Sequence, residues 1–226
     1  RQMMYALFDG SVDPPPDPSA EQAARTEVLR RYWDADSSGM IRAWEAAAYE
    51  PLPPDEVTLL ALACAHQGDS RARPLLRKIY DFNPVEARAI ESILLSRQAA
   101  YGEAATQLEN VLLGLRASPW CQPHVLELLF PTILRVAANK PDETRRLYSL
   151  LRQPFAVYLC EEDRLATAHA LAGLLGPAAI LETLLAYEPH VPWNERFLET
   201  RYRVYRQTNH PLVSRARRDL DGVRGR

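Results

Sequence analysis

Lysine is nearly missing from this chain: Lys78 and Lys140 are the two lysines among 27 basic residues. The arginine bias is that of a GC-rich, bacterial-type genome and bears on source, not on activity. Cysteine is scarce. Cys64, Cys121 and Cys160 are odd in number and widely spaced, which argues against a disulfide frame and for buried thiols in a reducing compartment. No apolar run approaches the roughly 20 residues that cross a bilayer, so this segment is not expected to insert in a membrane. The opening stretch Arg1-Gln2-Met3-Met4-Tyr5-Ala6-Leu7-Phe8 is too short and too weakly apolar for a signal peptide. A cytoplasmic location is the resulting expectation. The first residue is Arg rather than Met, and the chain reads as part of a larger protein.

The templates of catalysis are missing too. There is no G-x-x-x-x-G-K-[ST], no G-x-G-x-x-G and no G-x-S-x-G. Gly173-Leu-Leu-Gly176 lies inside an apolar helical stretch, not in a phosphate loop. Glu161-Glu162-Asp163 stands at a helix start, where carboxylates offset the helix dipole. No catalysis and no cofactor are therefore expected of this segment. Period-2 alternation is absent, which excludes a sheet. The formal charge of −2 points to no polyanionic partner, but its distribution is uneven. Residues 1–56 carry five Arg and eleven Asp or Glu, whereas residues 196–226 carry nine Arg against Glu199, Asp219 and Asp221. Such asymmetry steers a charged partner or favours head-to-tail contacts, and equally suits a solvated surface with a basic tail.

What is present is helical periodicity punctuated by proline. At 226 residues, 47% hydrophobic and 25% charged, the chain is long enough to bury a large core. Residues 10–18, Gly-Ser-Val-Asp-Pro-Pro-Pro-Asp-Pro, read as a stiff linker because successive prolines fix φ and remove donors. Residues 1–18 are thus the tail of a preceding region plus this linker. Apolar residues recur at helical spacing over 19–33 and 40–50, 56–66 and 71–82, 85–99 and 102–116, 123–138 and 142–152, 161–175 and 178–187, 194–207 and 211–221. Every break but the one at Ala100-Tyr101 carries Gly, Pro or Asn, residues that end helices for steric reasons. This predicts an all-α repeat domain over 19–222 and a disordered tail over 223–226. Equivalent hairpins are spaced about 30 to 38 residues apart, and a hairpin of that size buries its apolar face only by stacking on neighbours.

Two of these hairpins resemble the tetratricopeptide repeat. Residues 53–84 place Ala72, Leu76, Ile79 and Pro84 at that family's small, bulky, bulky and proline positions; residues 85–116 place Ala104, Leu108 and Val111 there. Tyr101-Gly102-Glu103-Ala104 is similar to the family's turn into its second helix. Glu56 and Arg88 stand where the family has a bulky residue, and the other hairpins match in length only. The resemblance implies a right-handed superhelix of about six antiparallel helix hairpins, a TPR-like α-solenoid. It also implies a protein or peptide partner held in a concave groove lined by first helices. Groove positions fall on Ala61, Cys64 and Ala65, and on Ile93, Ser96 and Arg97. Thr58 and Ile90 occupy the position where some members carry a carboxylate-clamping Asn, so that clamp is not expected.

Residues 34–45 resemble an EF-hand calcium loop. Asp34, Asp36 and Ser38 fall at loop positions 1, 3 and 5, Gly39 at 6, Ile41 at 8 and Glu45 at 12, with the Met40 carbonyl as a further ligand. No second loop is present to pair with it. The same residues also suit a hairpin turn in which Asp34 or Asp36 caps the next helix. Cys121 and His124 have C-x-x-H spacing, but a zinc site needs three or four close ligands, and packing is the better reading. His66, His169, His190 and His210 show no partner arrangement. Phe197, Leu198, Tyr202 and Tyr205 alternate with arginines, yet fall near one helical stripe that faces a neighbouring hairpin, so nucleic acid is not the expected partner. The reading is a non-catalytic helical-repeat interaction module of a larger protein. Its alternatives are a calcium-binding helical domain built on 34–45, and a regulatory appendage of an enzyme domain upstream of the linker.

Overall fold

The computed structural model describes residues 19–118, 120–156 and 160–225. The linker expected over residues 10–18 lies outside them. The described residues form twelve α-helices packed in neighbouring pairs, with no strand among them. In chain order these are α1 (Ala20–Trp33), α2 (Ser37–Ala47), α3 (Pro54–His66), α4 (Ala72–Tyr80), α5 (Pro84–Arg97), α6 (Tyr101–Ala117), α7 (Pro123–Asn139), α8 (Pro141–Leu151), α9 (Glu161–Leu175), α10 (Pro177–Ala186), α11 (Glu195–Gln207) and α12 (Val213–Val223).

The prolines that punctuate the sequence start helices more than they end them. Pro54, Pro84, Pro123, Pro141 and Pro177 are the first residues of α3, α5, α7, α8 and α10. A fixed φ is preorganised there, and the missing N–H has no intrahelical acceptor in any case. Several helices therefore begin one or two residues earlier than apolar periodicity alone indicates. Side-chain caps set others. The Ser19 hydroxyl accepts from Gln22 N and the Gln22 side chain accepts from Ser19 N, which is a capping box. Asn83 caps Glu86 N and Asn194 caps Phe197 N. Where a disordered tail is expected from residue 223, α12 includes Val223, and Arg224 pairs with Glu195 at 2.6 Å.

Helices α3, α5, α7 and α9, each the first of its pair, pack side by side in succession, and α6 packs on α8. One apolar cluster runs from Val28 to Ala172 and draws on α1 through α9. Each fully buried Leu or Ile in it contributes about 1.5–3 kcal/mol. Ala72, Ile79, Ala104, Leu108 and Val111 are completely buried in this cluster. The last pair is built separately. Leu184, Val204, Tyr205 and Ala216 form one small cluster, and Val191, Leu198 and Leu220 another. It meets the rest of the chain through α10.

Candidate binding cleft

The α3 helix is covered almost all round. From Glu56 to Ala65 every residue except Leu59 is buried. Its docking to the first helix pair rests on one carboxylate. Glu56, buried, takes an ion pair from Arg25 of α1 and a 2.7 Å hydrogen bond from the Tyr49 hydroxyl. Arg25 also lies over the Tyr49 ring at 4.4 Å. A buried carboxylate is tolerated only when paired in this way, so the polar residue at the repeat's usual bulky position is the docking point for α1.

Above this contact a cleft runs between α1, α3 and α7. One part, about 500 Å³, is lined by Arg25, Leu29, Asp55, Leu59 and Gln122. The next, about 360 Å³, is lined by Ser37, Leu62, Ala63, His66, Glu127 and Leu128. Tyr32, Trp33 and His124 line both parts and join them. Their rings stack edge to face: Tyr32–Trp33 and Tyr32–His124 at 5.4 Å, and Trp33–His124 at 6.4 Å. Edge-to-face packing fixes the ring orientations and gives the cleft a preformed aromatic wall. Trp33 remains 49% exposed there. The cleft follows one stripe of α3, Asp55–Leu59–Leu62–His66, residues three and four apart. It ends at His66, whose imidazole is pushed below its usual range by burial and by Arg97 and Arg135.

The residues expected to line a groove are mostly elsewhere. Ile93 is 1% and Ser96 3% exposed, both in the core of α5, and Ala61, Cys64 and Ala65 are likewise buried. Arg97 alone among them reaches solvent. The reason is packing: α5 is flanked by α3, α4, α6 and α7, so the face that would line an open groove is closed. The aromatic wall was missed because Tyr32 and Trp33 end one helix while His124 opens another about 90 residues away. The signal available was an exposed aromatic pair at a helix end.

Residues 34–45 form a capped turn and a helix. Asp36 accepts from Gly39 N at 2.7 Å and starts α2 at Ser37, three residues before the periodicity suggests. The same carboxylate receives Arg31 at 3.2 Å. Asp34 is paired with Arg30 at 2.6 Å, Met40 is buried within α2, and Glu45 is paired with Arg71. Ser38 sits in the first turn of that helix. The twelve residues thus do not converge on a point, and among the described residues no group of three His, Cys, Asp or Glu is placed to hold a metal ion. Cys121 is buried and His124 packs on the aromatic pair. The three cysteines are free, and burial pushes the Cys64 thiol up to about 12 and the Cys121 and Cys160 thiols up as well. None is an activated nucleophile.

No helix of the described residues is long and apolar enough to cross a membrane. No protein-family model, no curated protein and no solved structure matches the chain.

Proposed function

We propose that this chain is a non-catalytic interaction module, a TPR-like α-solenoid of six antiparallel hairpins in a right-handed superhelix, that holds a protein or peptide partner in the cleft between α1, α3 and α7. The observation that carries this reading is the preformed aromatic wall of Tyr32, Trp33 and His124, open to solvent beside the apolar floor of Leu29, Leu59 and Leu62. Concave, mostly apolar sites with a few polar groups at their ends are what peptide side chains fill, and aromatic residues dominate the binding energy of such contacts. The successive packing of α3, α5, α7 and α9 supports the repeat part of the reading. The test is selection from a displayed library of random peptides against the full chain. Recovered peptides are expected to bind Trp33→Ala about 30-fold or more weakly, since truncating a central aromatic costs about 2 kcal/mol or more. Equal binding to Trp33→Ala overturns the reading.

A further inference from the structure

Basic side chains gather beyond the far end of the cleft. His66 is the last residue of α3, Arg97 is the last residue of α5, and Arg135 lies one turn before the end of α7. These three helices pack in succession, and the three residues all lie near their C-terminal ends. Gly68, just past His66, lies against Arg97: a Cβ at Gly68 would stand 3.3 Å from the Arg97 Cβ. Gln98 Nε2 donates to Gly68 O at 3.0 Å and ties the same two ends together. His66 shares its part of the cleft with Glu127 and Leu128 of α7, and Arg135 lies two turns beyond Leu128 on that face.

Among the described residues the two arginines have no carboxylate partner. Among the described residues, neither Arg97 nor Arg135 makes an ion pair or a side-chain hydrogen bond. Arg97 is held below its usual range by burial and then by Arg135, with no carboxylate acting on it. The helix ends do not occupy them either. Gly68 N bonds Ala65 O, Asp69 N bonds Cys64 O, Ala99 N bonds Ser96 O and Ala100 N bonds Leu95 O, so the terminal carbonyls are satisfied by backbone. Glu127, exposed on the cleft wall, is the one carboxylate lining that part. Of the two acids at the other end, Glu56 is paired with Arg25 and Tyr49, and Asp55 accepts from Gln122 Nε2 at 3.3 Å.

We propose that His66, Arg97 and Arg135 form a carboxylate-binding end to the cleft, so that its occupant is an acidic peptide segment with an apolar side chain against Tyr32, Trp33 and His124. The inference rests on the cleft being a peptide site and adds the chemistry of what it takes. Two guanidinium groups without partners favour a planar carboxylate, which each can bind through paired N–H donors. The half-buried imidazole adds a further donor. Arg97 and Arg135 are exposed, so reversing their charge removes no core contact.

The experiment compares peptides recovered from the displayed library on the parent chain, on Arg97→Glu/Arg135→Glu and on Trp33→Ala, with melting curves as a folding control. Peptides recovered on the parent are expected to be enriched in Asp or Glu next to an apolar residue. They should bind the double arginine variant about tenfold to a hundredfold more weakly, the span of a charge-assisted hydrogen bond. Replacing the peptide's acid by Lys should return binding to that variant. Amidating the peptide C-terminus separates the two sources of the carboxylate: retained binding assigns a side chain, and lost binding assigns the terminus. Peptides that lose binding to Trp33→Ala yet ignore the arginine reversal overturn the carboxylate site and leave the cleft reading standing. Recovery of no cleft-binding peptide overturns both. A single-stranded oligonucleotide that binds the parent and not the arginine variant, with no acidic peptide recovered, overturns the inference in favour of nucleic acid.

Discussion

Gly39 shows how one residue position carries two readings. In a calcium loop its role is a sharp turn; in the folded chain it lets the Asp36 carboxylate lie over its own N–H, where any Cβ would collide with that carboxylate. Gly39→Ala is therefore expected to dislodge the cap and cost about 0.5–2 kcal/mol, the range for losing an N-cap, measured by denaturant melts. Asp36 and Glu45 already have partners in Gly39, Arg31 and Arg71. Melting temperatures in millimolar calcium and in chelator should accordingly coincide; a calcium-dependent rise that vanishes in Glu45→Gln would restore the loop reading. Ala104 is fully buried, and Ala104→Leu is expected to overpack its site at about 1–3 kcal/mol. Glu86 is a different case. It is buried, accepts from Thr58 Oγ1 at 3.1 Å and from Gln122 N at 2.8 Å, and has no cation beside it. Burial first, and then Asp55, raise its carboxyl above the ordinary 4.5. A raised folded-state value means that its contribution is present below the ordinary value and lost as pH rises through the folded one. Glu86→Gln removes the charge; its amide oxygen can still accept from Gln122 N while its amide nitrogen donates to Thr58 Oγ1. It should melt above the parent at neutral pH, with the difference closing below about 4.5, the ordinary value. Small residues at repeat positions were legible in the sequence because sterics demands them. Glu56 and Glu86 were not, since their partners Arg25, Tyr49 and Gln122 come from other elements.

At the level of elements, periodicity and helix breakers located all twelve helices, because most rest on local chemistry, a proline, a cap or a glycine, although α6 starts after Ala100 with no side-chain cap. Ends were less legible. The start of α2 depends on where the Asp36 side chain folds, and the first residues of α3, α5 and α10 are the prolines themselves. One helix contains its own breaker: Pro131 lies inside α7 and removes the N–H that would bond Glu127 O. It is exposed, so Pro131→Ala should restore the bond and raise stability, by up to about 3 kcal/mol on the propensity scale. The last pair, α11 and α12, is held by a buried guanidinium. Arg201 is 0% exposed and donates to Glu188 at 2.7 Å and Asp219 at 2.6 Å, while the Tyr205 hydroxyl reaches Glu188 at 3.0 Å. Arg201→Met removes the buried cation from two carboxylates, leaving them only Arg215 at 3.9 and 4.0 Å, and should cost about 3–5 kcal/mol, in line with breaking one partner out of a buried pair. The sequence showed Phe197, Leu198, Tyr202 and Tyr205 as an aromatic stripe among arginines, and it turns inward, with Leu198 and Tyr205 buried and Phe197 and Tyr202 partly buried against the two small clusters.

For the whole molecule, the partition of the core sets the dynamics and the meeting of α1, α3 and α7 sets the cleft. The large cluster spans α1 to α9, whereas α11 and α12 close over two small clusters. Stability therefore falls toward the C-terminal pair. Native-state hydrogen exchange should show α11 and α12 opening at lower free energy than α3, α5 and α7; equal protection along the chain would contradict a stepwise array. The groove was the least legible feature. First-helix positions of a repeat face a groove only where nothing covers them, and here α5 is enclosed while α1, α3 and α7 meet at Tyr32 and His124. The account stands on that meeting point being where a partner sits. The most direct measurement is the amide chemical-shift change of the isotopically labelled chain on titration with a peptide selected on it. The account predicts the largest changes at Leu29, Tyr32, Trp33, Leu62, His66, His124 and Leu128. Changes concentrated on α4, α6 and α8, with the cleft residues unmoved, would contradict it.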